Sequence, residues 1–163
     1  LKGERPEDMP IVGLDTVHER VRLLTGWIIE RLLELKHPNG KPLVRLYGPA
    51  YTERRGGTLA VNFYDASDRV IDHREVERQA TERNISIRSG CFCNPGAGEL
   101  ALGLSRGELE KCFAKSPRMT RDDLRLCIDP KAAGAVRISL GLASNFADAH
   151  ALVDFAASLA EKA

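Results

Sequence analysis

The sequence predicts an α/β fold of the two-layer α+β sandwich type, with helices packed mainly on one face of a short sheet. Three observations lead there. Apolar residues recur at three- and four-residue steps in a long stretch near the start and in another at the end. Four short runs between them read as strands, three of them alternating apolar and polar residues. The helical stretches are interspersed with these few strands, as in a sheet covered on one side.

The elements follow in order. Residues 1–13 read as a linker or truncated edge, polar and with two prolines up to Pro10. Thr16-x-x-Glu19 has the pattern of a capping box. Val17, Val21, Leu24, Ile28, Leu32 and Leu35 then form one apolar helix face ending near Lys36, with Gly26 allowing close packing or a bend. Pro38-Asn39-Gly40 turns the chain, and Leu43 to Tyr47 reads as a strand. A loop with Arg54, Arg55 and a Gly-Gly pair leads to the clearest strand, Thr58 to Tyr64, where Leu59, Val61 and Phe63 alternate with polar or small residues. A helix opens at Asp72 or His73 and carries Val76 and Ala80 on one side. Ile85 and Ile87 mark a short strand ending near Arg88, and Asn94-Pro95-Gly96 reads as a turn. Ser105-x-x-Glu108 caps a helix through Cys112, and a short helix covers Arg121 to Leu126. Val136 to Leu140 alternates again, and Asn145-x-x-Asp148 opens a last helix faced by Phe146, Ala149, Leu152, Val153, Ala156 and Leu159.

The 163 residues, 43% hydrophobic and 29% charged, suit one domain spanning 1–163 with a real core. The net charge is +1 and the two signs are interspersed, which argues against nucleic acid or an anionic membrane as partner. No apolar run approaches membrane-spanning length and no signal peptide is visible. Leu1 in first place suggests a piece of a longer protein. Four cysteines without a signal suggest free thiols, a reducing compartment and a cytoplasmic location.

The chemistry concentrates in Ile87-Arg88-Ser89-Gly90-Cys91-Phe92-Cys93-Asn94-Pro95-Gly96-Ala97. Two thiols one residue apart sit on a loop at a strand end, with Arg88 near enough to favour thiolate. A lone cysteine is most often a small buried hydrophobe, and so Cys112 and Cys127 are read as packing residues. Strand pleating adds a second group. Ile85 and Ile87 face the helices, so Arg88 faces away; Val136, Ile138 and Leu140 do the same, so Arg137 faces away too. If the two strands are neighbours, Arg88 and Arg137 flank one surface at the cysteine loop. Guanidinium forks there suit a carboxylate, and a thiol nucleophile with a carboxylate anchor suits an enzyme acting on an amino acid.

The loop from Arg88 to Ala97 closely resembles that of the molybdenum cofactor sulfurases, and more distantly the Arg-x-Gly-x-x-Cys loop of cysteine desulfurases. Pro38 to Gly48, Gly56-Gly57-Thr58, Val61-Asn62-Phe63 and Val136 to Gly141 extend the resemblance over most of the chain. One departure is Gly98, where the sulfurases carry a further cysteine.

The resemblance implies the small C-terminal domain of a fold-type I, pyridoxal-phosphate-dependent enzyme of the class V aminotransferase group. It implies that Cys93 accepts sulfur as a persulfide, with Cys91 beside it, and that Arg137 binds the substrate carboxylate with Arg88 as the loop arginine. L-cysteine is the implied substrate, with a separate sulfur acceptor and a homodimeric full-length enzyme. The cofactor lysine of this group lies much further ahead of the cysteine than this chain reaches. Lys2, Lys36 and Lys41, the only lysines before Cys93, are therefore not expected to hold the cofactor covalently, and the chain alone is expected to be inactive. Two other readings stay open: an ordinary class V aminotransferase or lyase with incidental cysteines, and a metal-binding module using the four cysteines, although Cys-x-Cys is tighter than usual zinc spacing.

Overall fold

The computed structural model describes residues 9–90, 95–115, 118–128 and 134–160. Ten elements follow one another: α1 (Met9–Glu34), β1 (Val44–Tyr47), β2 (Thr58–Phe63), α2 (His73–Glu82), β3 (Arg88–Gly90), α3 (Pro95–Leu102), α4 (Arg106–Lys115), α5 (Arg121–Cys127), β4 (Ala135–Ser139) and α6 (Phe146–Ser158). The four strands form one antiparallel sheet in the order β1-β2-β4-β3.

The pleat sorts the side chains. Val44, Leu59, Val61, Phe63, Val136 and Ile138 point to one face and join Leu24, Ile28 and Leu32 of α1, Val76 and Ala80 of α2, and Leu152 and Phe155 of α6 in one buried cluster. Helices α1 and α6 pack on each other, and α2 packs on β3 and β4. This is the two-layer α/β arrangement expected. Three polar caps set helix starts: Ser105 with Glu108 before α4, Thr120 with Asp123 before α5 and Asn145 with Asp148 before α6. Asp72 caps α2 by accepting from the Arg74 N–H. Burial pushes the Asp72 carboxyl up, but its bonds from Arg74 and the charges of Arg74 and His73 outweigh this and hold it below the usual range.

Five local expectations are corrected. Thr16 is not a cap: α1 already runs from Met9, with Pro10 in its first turn, where a missing N–H costs nothing. Glu19, which would have closed that box, instead accepts two bonds from Arg22 at 2.8 and 2.7 Å. Helix thus replaces the end of the expected linker. β3 begins where the expected strand ended: Ile85 and Ile87 pack against the core but form no ladder, and pairing to β4 starts only at Arg88. Pro95 and Gly96 belong to α3, with Pro95 at its first position. In α6, Phe146 is exposed and Phe155 takes the buried place.

Glycine sets how closely α1 approaches the sheet. A Cβ on Gly57 would lie 2.5 Å from Val21 Cγ1 and 2.8 Å from the Leu140 carbonyl oxygen. Gly57→Ala is therefore expected to destabilise the domain by about 1–3 kcal/mol, the usual cost of overpacking. Urea unfolding measures this, and an unchanged midpoint would contradict the packing. His37, to which the sequence gave no role, is buried and donates its Nε2–H to the Tyr64 carbonyl at 2.8 Å, tying the turn after α1 to the end of β2.

Candidate active site

The face of the sheet away from the core cluster carries Arg45 and Tyr47 of β1, Ala60 and Asn62 of β2, Arg137 of β4 and Arg88 of β3. Arg88 and Arg137 are directly opposed across the β3–β4 ladder, and both are exposed. The sequence-predicted pair thus stands in adjacent strands and on the predicted face. Two like charges in opposed positions repel one another. An anion between the two guanidinium groups would relieve that repulsion, and their planar forks match a carboxylate.

Arg88 also opens the stem of the cysteine loop. At Ser89 the hydroxyl donates to Glu77 Oε2 of α2 at 2.5 Å, which fixes the strand to the helix layer. Gly90 has φ +149°, a conformation that favours glycine, and the chain then passes to Cys91. Cys91 and Cys93 lie outside the described residues; the described chain resumes at Pro95.

A polar group backs this stem. Asn62, only 1% exposed, donates from Nδ2 to Tyr47 Oη at 3.0 Å and to the Gly134 carbonyl at 2.9 Å. Gly134 lies against the Gly90 carbonyl, and a Cβ at 134 would come within 2.5 Å of the Gly90 oxygen and 3.0 Å of His73 Cε1. Beside it, the Arg45 guanidinium sits over the Tyr64 ring at 5.1 Å. Burial pushes the Tyr64 hydroxyl pKa well up, and its bond with Tyr47 pushes it further. Sequence reasoning passed over Asn62, Tyr47 and Glu77. The one available signal was an amide on the polar side of an otherwise apolar, alternating strand.

Cys112 and Cys127 are not independent packing thiols. They form a disulfide joining α4 to α5, although Cys112 is buried as expected. The expectation of four free thiols is corrected, and with it half of the argument for a reducing compartment. Disulfide sulfurs are also not thiolate ligands, so a four-cysteine metal site is not formed in this state. Among the described residues no group of three or more His, Cys, Asp or Glu side chains is arranged to hold a metal, and no helix is long and apolar enough to cross a membrane. Thiol titration of the unfolded protein is expected to give two thiols per chain without reductant and four after reduction; four in both cases would contradict the pairing.

The described lysines do not fit a covalently held aldehyde cofactor at this face. Lys36 and Lys41 are exposed at the turn between α1 and β1, and Lys111 and Lys115 are exposed on α4. What the face offers is cationic and suits an anion such as a carboxylate.

No protein-family model matches the chain. Among curated proteins it is similar to the molybdenum cofactor sulfurases of Bos taurus, 33% identical over 146 residues, and of Homo sapiens, 32% identical over 146 residues. That of Solanum lycopersicum is 38% identical over 135 residues. These matches cover 88%, 88% and 83% of the chain but only 16% of each relative, so the chain corresponds to a minor part of them. Among solved structures, an apo cysteine desulfurase from Thermococcus onnurineus NA1 matches with a TM-score of 0.63 at 16% identity, over 96% of this chain and 29% of that one. That likeness is one of fold.

Proposed function

Starting from homology to a segment of the molybdenum cofactor sulfurases, we propose that this chain is the C-terminal, sulfur-accepting part of a pyridoxal-phosphate-dependent class V enzyme that takes sulfur from L-cysteine. The observation that carries the reading is the opposed pair Arg88 and Arg137 on the open face, with only Ser89 and Gly90 between Arg88 and Cys91.

In this reading Arg137, with Arg88 beside it, holds the substrate carboxylate and so orients the substrate sulfur. The thiolate of Cys93, favoured by the arginine charge, attacks that sulfur. A sulfur–sulfur bond forms as the carbon–sulfur bond breaks; the electron pair stays on the substrate carbon, which gains a proton to give alanine. Pyridoxal phosphate, held by the rest of the enzyme, supplies the electron sink for this step. A soluble acceptor then takes the sulfur from Cys93. The full-length enzyme works as a homodimer.

The ordinary aminotransferase reading keeps the arginines but has no use for the thiols. The experiment is turnover of L-cysteine by the full-length protein with pyridoxal phosphate and a thiol reductant. Equimolar alanine and sulfide are expected. Transamination to a keto acid without sulfide would replace this reading by the ordinary aminotransferase one.

A further inference from the structure

Asn62 reaches the two parts of the site at once. Its Nδ2 donates to the Gly134 carbonyl, and Gly134 both abuts the Gly90 carbonyl and leads into β4, which carries Arg137. Gly90 is the last described residue before the cysteines. The second N–H of the same amide donates to Tyr47 Oη, which fixes the amide plane. The side chain is buried, so both donors would be costly to leave unpaired. On the helix side of the sheet, the Ser89–Glu77 bond holds the same stem.

We infer that Asn62 is a positioning residue for the cysteine loop, acting through the Gly134–Gly90 backbone contact to set where the loop's thiols meet the substrate. The inference rests on the sulfur-transfer reading above. The amide does not touch the reacting atoms. It fixes the backbone at the point where the loop leaves the sheet, and a displacement of about 1 Å at a nucleophile can cost about a hundredfold in rate. Arg137 itself remains held by its ladder to β2 and β3, so substrate binding does not depend on the amide.

The test uses the full-length protein with pyridoxal phosphate. Asn62→Ser shortens the side chain out of reach of Gly134, while Gly134→Ala forces the Gly90 carbonyl away from the other side. Both variants are expected to lower kcat for sulfide release about 10- to 100-fold while leaving KM for L-cysteine and the cofactor spectrum near those of the wild type. Tyr47→Phe, which keeps the bond to Gly134, is expected to have the smaller effect. A second readout needs no turnover: the alkylation rates of Cys91 and Cys93 in folded protein, followed by peptide mass, should shift relative to each other in Asn62→Ser. Wild-type turnover with folded Asn62→Ser unchanged in kcat and in the alkylation ratio would overturn the inference. A rise in KM with kcat intact would also overturn it, by placing Asn62 on the substrate-binding side. If wild-type protein released no sulfide, the sulfur-transfer reading would fail, and an unchanged alkylation ratio would then overturn the positioning role separately.

Discussion

Cys93→Ser is expected to abolish sulfide release from L-cysteine in the full-length protein, by about three orders of magnitude or more, with its cofactor absorption unchanged. Removing a covalent nucleophile takes away the step itself, and losses of that size are typical. A hydroxyl does not replace the thiol, because serine is barely ionised near neutral pH while a thiol beside a guanidinium is partly thiolate. Cys91→Ser is expected only to slow turnover, because the proposed reading makes Cys93 the sulfur acceptor. The two thiols are one residue apart in sequence and both follow Arg88 closely, so only substitution separates them. Loss of activity in Cys91→Ser with activity kept in Cys93→Ser would reverse the assignment. Full activity in both would remove sulfur transfer from the account.

Arg137→Ala is expected to lower kcat/KM for L-cysteine about 10- to 150-fold, mostly through KM. That range corresponds to losing about 1.5–3 kcal/mol of charged hydrogen bonding to a carboxylate. Arg137→Lys keeps the charge but not the fork and should recover only part of the loss. The same substitution to alanine has an opposite consequence for the unliganded fold. Because Arg88 and Arg137 are directly opposed in β3 and β4, removing one relieves a like-charge pair, and stability should rise by about 0.2–1 kcal/mol at low salt. A variant both slightly more stable and much less active is the signature of a charge pair kept for binding. A variant destabilised by more than 1 kcal/mol would mean that Arg137 serves the fold.

The order of elements was legible because each rests on local chemistry. Ser105 with Glu108 and Asn145 with Asp148 form the caps that their spacing announces, and β2 alternates without interruption. The facing of Arg88 and Arg137 followed from the same two-residue period. Errors arose where a partner distant in sequence decides. Ile85 and Ile87 alternate because they are half-buried, but a strand also needs a ladder, and β4 supplies one only from Arg88. Pro95 suits a turn and a first helical position equally, so Asn94-Pro95-Gly96 could not distinguish them. Cys112 and Cys127 are 15 residues apart, and only the packing of α4 on α5 brings them together. Asn62 gave only a faint signal, an amide in an alternating strand, because its partner Gly134 lies 72 residues away. The arginine half of the site was therefore visible in the sequence, whereas the contacts that hold the loop stem became visible only in the fold.

The central claim is that the cysteine loop accepts sulfur. Its most direct measurement is the mass of the loop peptide after the full-length protein, loaded with pyridoxal phosphate, has met L-cysteine without reductant. The account predicts one added sulfur atom on Cys93, removed by a thiol reductant and absent in Cys93→Ser. A loop peptide of unaltered mass, from enzyme that nevertheless converts L-cysteine to alanine and sulfide, would contradict it.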